Sequence, residues 1–196
     1  MSRIAVFGYG SLVAPASAAL TLARPVERVW TARLPGWRRG FNQARDNRRA
    51  EKTFALTGDG SVPDFVLGLG VEPDDDPGFA PNGALIELTA AELDRLDLRE
   101  IRYDRVDVSA QIEAGGAAPT FDAVVTYRPK PERRAPEPPP GSVILASYAR
   151  AVEAAFGALG EDELAEYRRT TLPYPAPVVE AALVRDEIPE GNPREW

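Results

Sequence analysis

Short apolar runs separated by glycine- and proline-rich turns make up the first two-thirds of the chain. The first run, 3–7, ends abruptly at Gly8, and this pattern predicts a short buried strand. Alternation of apolar and polar residues, or brief apolar runs between turns, predicts further strands at 26–32, 38–42, 54–57, 65–71, 84–88, 103–108 and 121–127.

The clearest helix signal begins at Thr89. Thr89 and Glu92 have the spacing of a capping box, in which each residue satisfies an N–H group of the other. Leu88 and Leu93 are placed to form a hydrophobic staple around this start. The pattern predicts a helix over 90–97.

Three other segments favour helix. The alanine-rich stretch 15–22 predicts a short helix or a loop. Ser142 is placed to cap a helix whose apolar face lies within 144–159, and a charged helix is expected over 162–170.

Proline is concentrated near the C-terminus. Six prolines within 128–142 predict a polyproline-like linker, and five more after Leu172 predict a tail lying over the surface. We expect a domain over 1–160 that includes the linker, with the helix and tail of 161–196 packed on it.

Composition narrows the class of protein. The 196 residues, 44% hydrophobic and 27% charged, suit one globular domain. No apolar run is long enough to span a bilayer, and no signal peptide is recognisable, so we expect a cytoplasmic protein without a membrane partner. A net charge of -7 argues against a nucleic-acid partner.

Five arginines nevertheless cluster in one stretch of the sequence. This basic patch has two interpretations, a site for a small anion or a solvated loop, and composition favours the loop. Its members are Arg38, Arg39, Arg45, Arg48 and Arg49.

The chain contains no histidine and no cysteine. This excludes Ser-His-Asp and Cys-His catalysis as well as thiolate and imidazole metal sites. Proton transfer would fall to a carboxylate, a tyrosine, or one of the two lysines, Lys52 and Lys130. The acidic run 74–76 points its side chains alternately, so we interpret it as a solvated loop and expect no metal site.

The turn Gly8-Tyr9-Gly10 follows the first predicted strand. Its glycines permit positive φ angles and close backbone approach, so that N–H groups can converge on an anion or oxyanion. Ser11 adds a hydroxyl, although an ordinary turn with Tyr9 packed on the core explains the pattern equally well. The spacing does not match a dinucleotide fingerprint, because its sixth position is Val13, nor a phosphate-binding P-loop.

Glu100 is the strongest candidate for proton transfer. It lies between the predicted helix and the next strand, where a side chain can enter a cavity, and burial there would raise its pKa. The alternative is a salt bridge with a nearby arginine, and composition alone favours it. The possible partners are Arg99, Arg102 and Arg105.

Three segments together resemble the gamma-glutamylcyclotransferase-like superfamily, including its ChaC-type and AIG2-like members. The segment 7–12 resembles its Tyr-Gly-Ser signature, 34–42 its arginine and aromatic segment, and 96–100 followed by Tyr103 its Leu-Asp-x-Arg-Glu…Tyr motif. The resemblance covers about 3–160. It implies an α+β fold, a compact mixed β-barrel with flanking helices.

The resemblance also implies a reaction. The free α-amine of a gamma-glutamyl amide, amine or peptide attacks its own γ-carbonyl, giving 5-oxoproline and releasing the amine without a cofactor. Glu100 would be the general acid and base, and Arg39 would meet a substrate carboxylate. Other implied substrate-binding residues are Tyr9, Gly10, Ser11, Leu12, Tyr103, Tyr127 and Tyr148.

Several alternatives stay open. Ile101 and Arg102 stand where many relatives have glycine, which leaves the leaving group undetermined between glutathione breakdown and a specialised gamma-glutamyl metabolite. Another alignment would make Asp97 the base. A non-catalytic module that binds a small ligand or a protein is the alternative function, suggested by the proline-rich segment.

Overall fold

A computed structural model describes residues 3–76 and 78–193. Twelve strands occur in the described residues: β1 (Ile4–Gly8), β2 (Trp30–Arg33), β3 (Trp37–Asp46), β4 (Lys52–Leu56), β5 (Phe65–Pro73), β6 (Asn82–Leu88), β7 (Tyr103–Asp107), β8 (Glu113–Ala114), β9 (Ala123–Pro129), β10 (Ser142–Leu145), β11 (Val178–Val179) and β12 (Ala181–Asp186). The helices are α1 (Pro15–Leu22), α2 (Ala90–Arg99), α3 (Ala146–Leu159) and α4 (Glu161–Thr170), with short 3-10 turns at Ser11–Val13 and Pro131–Arg133.

The first strand is central to the largest sheet, whose strand order is β7-β9-β1-β6-β2-β8. β1 pairs antiparallel with β6 and parallel with β9, so that Ile4 faces Leu88 on one side and Ala123 on the other. Because successive side chains of a strand point to opposite faces, β1 supplies two separate apolar clusters, with Phe7 in one and Val6 in the other. The turn after β1 is therefore anchored on both sides of the sheet.

A second sheet has the order β11-β10-β5-β3, and β12 pairs with β4 in a third. Within the antiparallel β3 and β5 pair, the register shifts between Gly40 and Gln43. Two residues of β3, Phe41 and Asn42, there oppose the single residue Leu69 of β5, which is a β-bulge. The bulge reverses which face of the sheet the later side chains of β3 occupy.

The predicted barrel is not supported, because no sheet closes among the described residues. A barrel requires the two edge strands of a sheet to pair with each other. In the large sheet those edges are β7 and the two-residue strand β8, which lie at opposite ends. The fold is mixed α+β with three open sheets.

The capping box is confirmed at the start of α2. The Thr89 hydroxyl accepts from the Glu92 amide at 3.2 Å, while the Glu92 carboxylate accepts from the Thr89 amide at 2.7 Å. The helix runs two residues beyond the predicted end, and Glu100 is its C-terminal cap. Leu93 and Leu96 bury its apolar face against the central sheet.

The prediction for Ser142 is wrong. Ser142 belongs to β10, which pairs parallel with β5, and α3 begins only at Ala146 without a side-chain cap. The apolar run from Val143 to Leu145 is compatible with a buried strand as well as with the apolar face of a helix. Pairing with β5 makes it a strand.

The proline-rich stretch and the tail both contact the sheets. The amide of Ala135 donates to the Asn42 carbonyl at 2.7 Å, and the backbones of Arg134 and Gln43 form an isolated antiparallel β-bridge. Farther on, β12 pairs along β4, so the tail contributes a strand where a surface covering is predicted. In the described residues, no helix is long and apolar enough to cross a membrane. The predicted domain boundaries stay a prediction.

Candidate active site

A cavity of about 510 Å³ opens where the turn after β1, the end of α2 and the start of α3 approach strands β3 to β5. Ser11, Glu100, Tyr103 and Tyr148 line it together. The structure thus brings four of the predicted site residues to one cavity, although Ser11 and Glu100 are far apart in the chain.

Glu100 is held by its backbone at the end of α2. Its amide donates to the Leu96 carbonyl at 2.9 Å, and its own carbonyl accepts from the Tyr103 amide at 2.8 Å. The side chain is 17% exposed and lines the cavity. Burial raises the pKa of Glu100, and the positive charges of Arg99 and Arg102 oppose that shift without cancelling it.

Arg99 connects Glu100 to the glycine turn. Its Nε lies 3.1 Å from Oε1 of Glu100, and its Nη2 lies 3.2 Å from the Ser11 hydroxyl. The same guanidinium donates to the hydroxyls of Ser17 and Thr21 at 3.0 and 2.8 Å. The salt bridge that composition favours is thus present, and Glu100 lines the cavity as well.

The backbone of the glycine turn leaves several donors without partners. The Val13 amide donates to the Gly10 carbonyl at 3.0 Å, and the Ala14 amide donates to the Ser11 carbonyl at 3.2 Å. In the described part of the chain, the amides of Gly10, Ser11 and Leu12 donate no hydrogen bond. Three consecutive unpaired N–H groups are suited to an anion or an oxyanion.

Neither Gly8 nor Gly10 has the positive φ angle that glycine permits. Close approach explains both glycines. A Cβ on Gly8 would lie 2.9 Å from Cβ of Leu12, and one on Gly10 would lie 3.3 Å from the Tyr148 hydroxyl. The turn is packed too closely for larger residues.

Three tyrosines lie close to this centre. The Tyr103 hydroxyl donates to the Leu69 carbonyl at 2.9 Å, and the Tyr9 hydroxyl donates to the Tyr127 carbonyl at 2.7 Å. Burial raises the pKa of Tyr9, Tyr103 and Tyr148, so all three hydroxyls are protonated at neutral pH. Tyr103 and Tyr148 line the cavity, whereas Tyr9, Gly10 and Leu12 are buried and do not line it.

Tyr127 and Asp97 form a separate pair. The Tyr127 hydroxyl donates to the Asp97 carboxylate at 2.6 Å, and Arg105 contacts the other carboxylate oxygen at 2.8 Å. Neither Tyr127 nor Asp97 lines the cavity. Glu100 therefore lies in the cavity wall, whereas Asp97 and Tyr127 do not.

Arg39 is not at the cavity, which corrects the prediction that it meets a substrate carboxylate. It is fully buried, and it donates to the carbonyl and side-chain oxygens of Asn82 at 2.6 and 3.0 Å. Its guanidinium also lies 4.4 Å from the ring centroid of Tyr167. These contacts use Arg39 to join β3, β6 and α4.

Comparison with known proteins supports this architecture. No family model matches the chain, and no curated protein matches its sequence. Among solved structures, it is similar to YkqA from Bacillus subtilis at 20% identity, with a TM-score of 0.54, covering 86% of this chain and 54% of that one. It is also similar to a gamma-glutamyl cyclotransferase at 13% identity and TM-score 0.50, covering 91% and 95% of the two chains.

A yeast gamma-glutamyl cyclotransferase specific to glutathione is similar at 14% identity and TM-score 0.51, covering 87% of this chain and 96% of that one. The chain has the gamma-glutamyl cyclotransferase-like fold. The resemblance found in three short motifs is thereby confirmed at the level of the fold.

Within this gamma-glutamyl cyclotransferase-like fold, the cavity contains charged residues that the motifs did not identify as site residues. They are Arg45, Glu51, Lys52 and Arg102. Arg45 belongs to the basic patch interpreted as a solvated loop, and that interpretation suits exposed Arg48 and Arg49 but not Arg45. Because Gln43 and Arg45 are two positions apart on β3, their side chains share one face of the strand, and this spacing could have indicated from the sequence that they line the same cavity. No group of three or more acidic side chains in the described residues is arranged to hold a metal ion.

Proposed function

We propose that this protein is a gamma-glutamylcyclotransferase-like enzyme, which converts a gamma-glutamyl amide, amine or peptide into 5-oxoproline and a free amine. One observation carries the proposal. Glu100, whose pKa burial raises, lines the same cavity as Ser11 of the glycine turn. The fold shared with gamma-glutamyl cyclotransferases supports the same reaction class.

The chemical step needs one group that accepts a proton and later returns it. Glu100 takes a proton from the substrate α-ammonium, and the freed amine attacks the γ-carbonyl carbon, forming the new C–N bond of the five-membered ring. Collapse of the tetrahedral intermediate breaks the original amide bond, and Glu100 gives its proton to the departing nitrogen. The ring nitrogen gives its extra proton to the released amine, which leaves as an ammonium ion. A carboxyl with a raised pKa suits both directions of transfer near neutral pH.

The glycine turn supplies the electrostatic part of the mechanism. The unpaired amides of Gly10, Ser11 and Leu12 bind the glutamyl group and stabilise negative charge that develops on its γ-carbonyl oxygen. Ring closure joins two ends of one molecule, so holding the substrate folded contributes much of the rate acceleration. Tyr103 and Tyr148 form the wall beside it.

The test is Glu100→Gln, which keeps the shape of the side chain and removes its basicity. We expect the rate of 5-oxoproline release to fall by about 10²- to 10⁴-fold, the range for loss of general acid–base catalysis. Asp97→Asn is the matched control, because Asp97 lies outside the cavity lining, and its rate should stay within a few-fold of the parent.

An unchanged rate in the Glu100 variant would show that another group is the base. Absence of turnover by the parent protein across gamma-glutamyl compounds that it binds would favour the non-catalytic binding module. The packing of the proline-rich segment against β3 gives that alternative no structural support.

A further inference from the structure

Arg45 places an unpaired positive charge in the wall of the cavity. It lies on β3 two residues after Gln43, and both side chains line the cavity. Among the described residues the Arg45 guanidinium forms no ion pair with an acid, and its Nη2 is buried without a hydrogen-bond partner. A buried donor without a partner is costly, so a partner from outside the chain would be stabilising.

The other basic residues of the cavity already have acidic partners. The pairs are Arg99 with Glu100, Arg102 with Glu51, and Lys52 with Asp186. Burial and the nearby charge of Arg102 lower the pKa of Arg45 to about 10, which still leaves it protonated at neutral pH. The positive charge at Arg45 is therefore not balanced by a direct contact in the described residues.

Apolar side chains line the cavity beside this charge, on which the opposite charges of Arg102 and Glu51 also act. The Arg45 guanidinium lies 5.2 Å from the ring centroid of Phe54, and Leu183 of β12 pairs with Phe54 across the third sheet. Phe54, Leu183 and Ile188 all line the cavity. A ligand that suits this end combines an anionic group with an apolar body.

We propose that Arg45 determines substrate specificity by binding the carboxylate of the leaving group. The substrate class is a gamma-glutamyl α-amino acid whose side chain is apolar and contacts Phe54 and Leu183. This inference rests on the proposed function, because it assigns the leaving-group end of the same cavity. Arg45 takes no part in the proton transfer.

The experiment compares two substrates that differ only in the carboxylate, gamma-glutamyl-leucine and gamma-glutamyl-isopentylamine. A hydrogen bond between charged groups contributes about 1.5–3 kcal/mol, so the parent should prefer the leucine compound by roughly 10- to 100-fold in kcat/KM. Arg45→Met keeps the length of the side chain without its charge. We expect it to remove most of this preference while changing the rate on the isopentylamine compound by less than about threefold.

Arg49→Met is the matched control, because Arg49 is an exposed arginine of the same basic patch outside the cavity lining. It should keep the preference of the parent. Equal losses on both substrates in Arg45→Met, or a preference that survives the substitution, would overturn the inference while leaving the reaction itself intact.

Calorimetric binding separates failure of this inference from failure of the proposed function. Gamma-glutamyl-leucine should bind the parent at least tenfold more tightly than it binds Arg45→Met, whether or not it is turned over. Equal affinities would overturn the role of Arg45. Tighter binding by the parent without turnover of either compound would support the role of Arg45 and contradict only the cyclisation reaction.

Discussion

The Nε atom of Arg99 lies 3.1 Å from the Oε1 atom of Glu100, and the same guanidinium reaches the Ser11 hydroxyl. Two neighbouring residues at the end of α2 thus have different roles at the cavity. Arg99 ties the helix end to the glycine turn, while the carboxylate of Glu100 lines the cavity with a raised pKa.

The pH dependence of activity should report the ionisation of Glu100. Burial raises the pKa of Glu100 in the folded protein above the usual value of 4.5 for a glutamate. The carboxylate is the form that accepts a proton, so kcat/KM should fall as the pH drops through this raised pKa. Arg102 favours the charged form, and Arg102→Gln should therefore move the acid limb to higher pH.

The measurement is the pH profile of kcat/KM for the parent and Arg102→Gln on one substrate. A limb that moves to lower pH in the variant, or does not move, would disagree with this assignment.

Replacing Arg99 should affect both stability and catalysis. The Arg99 side chain is 5% exposed, and Arg99→Gln breaks a buried ion pair together with the hydrogen bonds to Ser11 and Ser17. We expect the free energy of unfolding to fall by about 3–5 kcal/mol. We also expect kcat/KM to fall at least tenfold, because Glu100 and the turn lose their common contact.

Arg95→Gln is the control for this experiment. Arg95 lies one turn earlier on α2 and contacts the Thr21 carbonyl, but it does not line the cavity. The Arg95→Gln substitution should lower the free energy of unfolding, measured with urea, by about 1 kcal/mol and change kcat/KM little. If Arg99→Gln unfolds more easily but keeps the parental kcat/KM, Arg99 is a structural residue only.

Arg39 should prove structural. Arg39→Met leaves the oxygens of Asn82 and Thr170 without their donor, so unfolding should become easier by about 3–5 kcal/mol. Should this variant fail to fold, Arg39→Lys keeps the charge and loses the planar arrangement of donors. In the folded variant KM should match the parent.

Arg38→Gln provides the comparison for Arg39, because Arg38 is a partly exposed neighbour paired with Glu72. This substitution should lower the free energy of unfolding by about 1 kcal/mol or less. Denaturant midpoints and KM values distinguish the two arginines. A raised KM with unchanged stability in Arg39→Lys would return Arg39 to the list of substrate-binding residues.

The close packing of the glycine turn predicts a further result. An alanine Cβ at position 8 would lie 2.9 Å from Cβ and 3.1 Å from the backbone carbon of Leu12, so Gly8→Ala has to displace the turn. We expect a loss of about 1–3 kcal/mol in stability and a lower kcat, because the amide donors move with the turn.

Gly58→Ala is the matched control for this substitution, since a Cβ there meets nothing within 4 Å and the residue has no positive φ. Its stability should change by no more than about 0.5 kcal/mol. Thermal unfolding and initial rates test both variants. A Gly8→Ala protein as stable and active as the parent would contradict the close packing of this turn.

Local features of the site were predictable from the sequence. The strand before Gly8 and the capping box at Thr89 each depend on residues close together in the chain, and both are present. The same local signals placed Glu100 at a helix end, where the side chain reaches the cavity. Periodicity and capping chemistry act over one or two turns, which is why short segments suffice for them.

Contacts between distant segments could not be predicted from local sequence signals. The bulge between Gly40 and Gln43 has no distinctive local sequence, yet it turns Arg39 into the core and Arg45 toward the cavity. Pairing of the tail with β4 likewise depends on residues more than a hundred positions away.

The amino-acid sequence by itself determined the glycine turn, the capped helix and the position of Glu100 at its end, because each of these depends on neighbours in the chain. Only the tertiary structure decided that the sheets stay open, that Arg39 is a core residue and that Arg45 carries an unpaired charge in the cavity. Those outcomes depend on strand register and long-range packing, and a shift of one residue in register exchanges the buried face for the other.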